Sequence, residues 1–149
     1  MTGAEIRRMT QRDLPEVVGL DEQFFGASRE RILRRVLYDF PDLCFVTRSD
    51  SKIVGYIMAK VGKGSHRVGP WICEPKKPQI AESLLHRLMG EASGHRLWVG
   101  APGVNKASVM ILKDNGFEDL SSSLRMCYGD CRPMGDSNGI FGIGAPDKG

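Results

Sequence analysis

Apolar positions recur along this chain in two periods, and the places where the period changes mark its elements. Ile6-Arg7-Arg8-Met9 reads as a short first strand. Thr10-Gln11-Arg12-Asp13 then has the spacing of a capping box, with Asp in place of the usual Glu, so a helix is expected from Gln11. Leu14, Val17, Val18, Asp21, Phe24 and Phe25 fall at helical steps and give that helix one apolar face. Gly26 breaks it. Ser28 is the expected cap of a second helix, in which Ile32, Leu33, Val36, Leu37 and Phe40 repeat the period until Pro41 stops it.

The period then shortens. Leu43 to Thr47 and Lys52 to Lys60 are β-rich runs joined by Arg48-Ser49-Asp50-Ser51, which reads as a hairpin. The break Gly62-Lys63-Gly64-Ser65 leads to a third run, His66 to Cys73, and completes an antiparallel meander. Pro78 suits the first turn of a third helix, whose stripe of Ile80, Ala81, Leu84, Leu85, Leu88, Met89 and Ala92 is the cleanest in the chain. Gly94 ends it and Arg96 to Val99 forms a strand. A helix of that length between two strands implies a right-handed crossover between parallel neighbours. Asn105 is the expected cap of a fourth helix reaching about Asp114, with Gly116 as its left-handed end and Leu124 to Tyr128 returning as a strand. The predicted fold class is α+β. It has one domain over residues 1–131, built on a mixed, mostly antiparallel sheet with one parallel crossover and four flanking helices. A tail of 132–149 is rich in Gly and Pro, and in it only Ile140-Phe141-Gly142-Ile143 can dock.

Composition narrows the picture in a few places. With 149 residues, 41% hydrophobic and 26% charged, the chain suits one globular domain, and no apolar run is long enough to span a bilayer. No membrane association and a cytoplasmic setting are expected. The cysteines Cys44, Cys73, Cys127 and Cys131 are expected to be reduced, small buried or loop thiols. Cys127-x-x-x-Cys131 lacks a histidine or second pair at ligand spacing, so no metal is expected. A net charge of +3 mildly favours anionic ligands but is too small for a nucleic-acid binder. Arg29, Arg31, Arg34 and Arg35 are expected to form the solvated face of the second helix.

The turn Glu74-Pro75-Lys76-Lys77-Pro78-Gln79-Ile80-Ala81 carries candidate chemistry. The amides of Gln79, Ile80 and Ala81 at a helix start, with the ammonium groups of Lys76 and Lys77, can hold a phosphate. The same lysines read equally as a solvated pair capping a loop. Asn105 reads as an ordinary helix cap, and Trp71 and Trp98 read as core aromatics.

The element order resembles the GCN5-related N-acetyltransferase (GNAT) family over roughly residues 4–129. The family's turn, Arg/Gln-x-x-Gly-x-Gly/Ala, corresponds here to Lys76-x-x-Gln79-x-Ala81. Ala81 matches, Lys76 keeps the charge, and Gln79 replaces a glycine that would let backbone approach a diphosphate. Asn105 and Gly116-Phe117 match the family's Asn and Gly-Phe in spacing, while the position of its thiolate-protonating Tyr is Leu112, which has no proton to give. Val68-Gly69-Pro70-Trp71 and Gly139-Ile140-Phe141-Gly142-Ile143 look most like the C-terminal domain of tandem GNAT proteins.

The resemblance implies an acetyl-CoA-dependent N-acetyltransferase in which the amine of an unidentified small-molecule or peptide acceptor attacks the thioester directly in a ternary complex. Acetyl-CoA would be the acyl-donor substrate. Main chain at Trp71, Ile72 and Cys73 would pair with pantetheine where two strands splay, Gly69-Pro70 breaking the ladder there. Lys76, Lys77, Gln79, Ile80, Ala81 and Asn105 would bind the rest of the cofactor. His66 and Glu74, at the two ends of the strand, are the candidate bases, His66 preferred because it titrates nearest neutral pH; it also reads as a surface hairpin histidine. The alternative is a degenerate, non-catalytic GNAT-like module that binds CoA or a protein, with a homodimer or a partner GNAT domain as the assemblies this allows.

Overall fold

A computed structural model describes residues 5–63, 65–100, 105–118 and 139–142. The strand expected at Leu124 to Tyr128, Gly64, Cys127 and Cys131 lie outside the described residues. Strand β1 (Glu5–Arg8) runs into a short 3-10 turn at Gln11–Asp13 and then helix α1 (Leu14–Phe25). The start expected at Gln11 is therefore a tight turn before it becomes an α-helix. Asp13 anchors that turn: its carboxylate accepts from the Thr10 N–H at 2.8 Å and Oγ at 3.1 Å, and from the Arg7 guanidinium at 2.7 and 2.8 Å. Hydrogen bonding to Arg7 holds the Asp13 carboxyl down at about 2.

Helix α2 (Glu30–Asp39) starts one residue later than its expected cap allows, on Arg29 rather than Ser28. The cause is tertiary. Arg29 is buried, donates to Asp21 at 2.9 and 2.6 Å, and lies over the Phe25 ring at 3.7 Å. Asp21 also accepts from the Tyr56 hydroxyl at 2.5 Å. Arg29 thus leaves the solvated arginine face in which it was expected, while Arg31, Arg34 and Arg35 are exposed.

Strands β2 (Cys44–Ser49), β3 (Lys52–Val61) and β4 (Ser65–Cys73) form the antiparallel meander. Helix α3 (Pro78–Glu91) crosses over to β5 (Arg96–Val99), parallel to β4, and helix α4 (Lys106–Asp114) follows. A sixth strand, β6 (Ile140–Gly142), pairs antiparallel with β4. The sheet order is β1-β2-β3-β4-β5.

Alternation along the strands sends side chains to two cores. Cys44, Val46, Tyr56, Met58, Ile72 and Ile140 pack against α1 and α2, whereas Phe45, Ile57, Trp71, Cys73 and Phe141 pack against α3 and α4. Val68 and Trp71 share the second face although three residues apart. Opposite them, Ala59 and Ile57 are only two apart, so β4 carries an extra residue at Gly69-Pro70. Gly69 takes φ 138°, a conformation that favours glycine, and the Gly69-Pro70 peptide is cis.

Candidate functional site

The bulge divides β4 into two halves with different neighbours. Ser65 to Val68 pair in parallel with Arg96 to Val99, and the pairing ends at Val68 and Val99. Beyond Gly69 the two strands part, at the place where Pro70 has no N–H to give. The fork opens on the β4 edge opposite β3, and there β6 is seated: Trp71 is paired with Gly142 and Ile72 with Ile140. Gly142 touches both sides, because a Cβ there would lie 3.1 Å from Trp71 Cβ and 3.5 Å from Val99 Cγ1.

Helix α4 points its first turn into the same place. Asn105 accepts from the Ser108 N–H at 3.0 Å, which makes it the helix cap, and its Nδ2 donates to the Ile140 carbonyl at 2.9 Å. Ser108 Oγ donates to the Phe141 carbonyl at 2.5 Å. Both side chains are buried. Asn105 is therefore a helix cap, one of the two roles weighed for it beside a cofactor contact, and it also clamps the Ile140 main chain, which neither role included. Ser108 did not stand out in the sequence. Its one signal was a hydroxyl three residues after Asn105, on the face the cap turns inward.

The phosphate turn stands beyond the upper end of β4. The Ile80 and Ala81 amides turn back on the Lys77 carbonyl, at 3.0 and 3.4 Å. Lys77 Nζ reaches Ser49 Oγ at 3.2 Å, away from the helix start. Lys76 and Gln79 are exposed. Cys73 is fully buried and close to the Lys77 carbonyl at 3.8 Å; burial pushes its thiol up to about 12.

The two candidate bases sit on either side of the fork. His66 lies in the parallel half, opposite Leu97, roughly 15 Å along the strand from Trp71 at ordinary strand rise. It is 8% exposed, so it is not the surface histidine that the hairpin reading expected. Its ring stacks on His95 at 4.4 Å, and its Nδ1 has no protein partner among the described residues. Glu74, above the fork, is 3.6 Å from Lys52. Trp71 is wholly buried and meets Phe141 at 5.5 Å, whereas Trp98 is 41% exposed, so only the first is a core aromatic. Surface recesses of about 300 and 290 Å³ lie around Leu37 and Tyr38, and no fork residue lines either.

An acyl carrier in the fork needs a free β4 edge, and this arrangement does not supply one. The Trp71 and Ile72 edge is paired, the Asn105 amide is committed at both ends, and Phe141 fills the space beside Trp71. The residues as arranged do not fit a pantetheine arm in that slot. Among the described residues, no group of three or more metal-ligating side chains is present, and no helix is long and apolar enough to cross a membrane.

Comparison with known proteins supplies the fold's lineage. Arabidopsis thaliana Naa50, solved with the bisubstrate analogue CoA-Ac-MVNAL, superposes with a TM-score of 0.70 at 15% identity over 89% of this chain and 94% of that one. The diaminobutyrate acetyltransferase EctA of Paenibacillus lautus, solved with L-2,4-diaminobutyric acid and coenzyme A, gives a TM-score of 0.65 at 23% identity, covering 76% and 75%. A Pyrococcus horikoshii protein of the acetyltransferase class gives 0.67 at 16% identity over 77% of this chain, which spans only 43% of that protein's length. Comparison with curated proteins finds no match. The profile of the acetyltransferase (GNAT) domain matches residues 17–142, from the first helix through the strand in the fork, and on that match the chain belongs to the GNAT acetyltransferase family.

Proposed function

We propose that this chain is a GNAT-fold module that does not itself turn over acyl-CoA. One observation carries the reading: β6 is paired to Trp71 and Ile72 along the edge where a pantetheine arm would lie, with Asn105 and Ser108 holding its carbonyls. Two features of the sequence agree with it. Leu112 is a buried side chain that cannot protonate a departing thiolate, and Gln79 stands where a glycine would admit a diphosphate. The module's partners are then proteins, a second copy or another GNAT domain included. The test is direct. Isothermal calorimetry with acetyl-CoA to high micromolar concentration and a transfer assay on a broad panel of amines should both be blank. Acetylation of any amine by the purified chain at a rate above the uncatalysed one would overturn the reading.

A second reading is favoured by the phosphate turn, where Lys76 is exposed and makes no ion pair among the described residues. In it the chain is an acetyl-CoA-dependent N-acetyltransferase. The acceptor amine attacks the thioester directly, with His66 or Glu74 taking its proton through water. It requires the fork to be vacated first. Binding of acetyl-CoA that Lys76→Glu weakens would favour it.

A further inference from the structure

The fork constrains the seated strand at all four of its positions, by exclusion at the two ends and by filled apolar volume at the two between. Gly139 must be small: a Cβ there would fall 2.2 to 2.5 Å from the Phe24 ring. Ile140, 2% exposed, enters the core under α1 and α2, and Phe141, fully buried, enters the core under α3 and α4. Gly142 must be small again, against Trp71 and Val99. Between these side chains the backbone is read at both carbonyls, Ile140 by Asn105 and Phe141 by Ser108, and by ladder pairing with Trp71 and Ile72. A pantetheine arm is a thin unbranched chain. It could meet the ladder and the two donors, but it would leave the Ile140 and Phe141 volumes empty on opposite faces of the sheet, and unfilled apolar volume is destabilising.

We infer that the β4–β5 fork is a peptide-binding site, selective for an extended small–aliphatic–aromatic–small segment, and that Gly139–Gly142 is its ligand supplied in cis. The site works by strand addition: main-chain pairing gives affinity, and the alternate pockets give specificity. This inference rests on the reading of a fork closed to the acyl carrier. It goes further by naming the ligand class that the fork takes instead.

The experiment loosens the cis strand and offers the same segment in trans. The full chain carrying Phe141→Ala is titrated with a synthetic peptide of residues 137 to 145, and the thermal midpoint is followed. A ligand bound only by the folded state raises that midpoint by mass action, so a saturable rise of roughly 5 °C is expected. The same peptide with alanine in place of phenylalanine should give no rise, and neither should pantetheine or coenzyme A at equal concentration. If Phe141→Ala does not fold, the milder Phe141→Leu chain, which keeps Asn105 and Ser108 and leaves the aromatic pocket underfilled, is titrated in the same way. A flat response to the native peptide, an equal response to both peptides, or a rise with pantetheine or coenzyme A would each overturn the inference. These readouts are separate from amine acetylation by the native chain, which tests the closed-module reading.

Discussion

Asp21, Arg29 and Tyr56 on one face of the sheet, and Asn105, Ser108 and the β6 carbonyls at its fork, are both buried polar networks, yet they hold the chain by different means. The first is ionic. A carboxylate wholly removed from solvent is matched by a two-pronged guanidinium and a hydroxyl, tying α1, the start of α2 and β3 into one unit. The second is neutral and directed at main chain, so it recognises any strand with carbonyls in the right places. A charged network is unforgiving of partial loss, because whatever remains is left buried and unpaired. A neutral clamp is forgiving, and its selectivity must come from the side chains around it. The fork accordingly gets its discrimination from Phe24, Trp71 and the two cores rather than from Asn105.

Arg29→Ala should have the largest effect, about 3 to 5 kcal/mol of lost stability in urea denaturation, since it strands the Asp21 carboxylate in the core. Phe141→Ala should come next or equal it, at about 3 to 4 kcal/mol, if β6 is a core strand. A loss below about 1 kcal/mol would mean that β6 is a loose edge, and the contrast between networks would fail. Asn105→Ala should cost about 1 to 3 kcal/mol, because it removes a helix cap and leaves the Ile140 carbonyl without its donor.

A pH series sharpens the ionic side. Asp13 has a carboxyl held at about 2 against an ordinary 3.8, chiefly by its hydrogen bonds with Arg7. Its depressed value means that the ionised form is favoured by folding. The contribution is whole above pH about 4 and disappears as pH falls towards about 2, where the folded carboxyl also protonates; it amounts to about 2 kcal/mol. Asp13→Asn should lower stability at neutral pH and flatten that part of the acid titration. The fork clamp contains no ionisable group, so Asn105→Ala should leave the slope unchanged. Smallest of all, Lys76→Glu on the exposed turn should change stability by less than about 0.5 kcal/mol.

How much of this was legible in the residues depends on the distance over which each feature is decided. The meander, the stripe of α3, the crossover to β5 and the cap at Asn105 are local patterns, and they appear where the periodicity put them. The start of α2 moved because Arg29 is held by Asp21, eight residues back, and a propensity for Ser at a cap cannot oppose a buried ion pair. His66 read as a surface residue because its hairpin is polar. Stacking on His95 across the crossover buries it. The Gly69-Pro70 break was visible as the end of a ladder, and the parallel pairing does end at Val68.

The chain's own order of apolar and polar residues was enough to determine five strands of a mixed sheet and four helices, because periodicity, caps and breakers act within a few residues of each other. Which strand fills the fork could not be read that way. Gly139 to Gly142 lie roughly 70 residues from Trp71 and Ile72, and the tetrapeptide carries no signal of its own beyond the capacity to dock. Only when the bulge parts β4 from β5, and α4 brings Asn105 and Ser108 to the gap, do two small residues and two apolar ones acquire complementary surroundings. That complementarity is a property of volumes and donors assembled from four distant segments, and it exists only in the folded molecule.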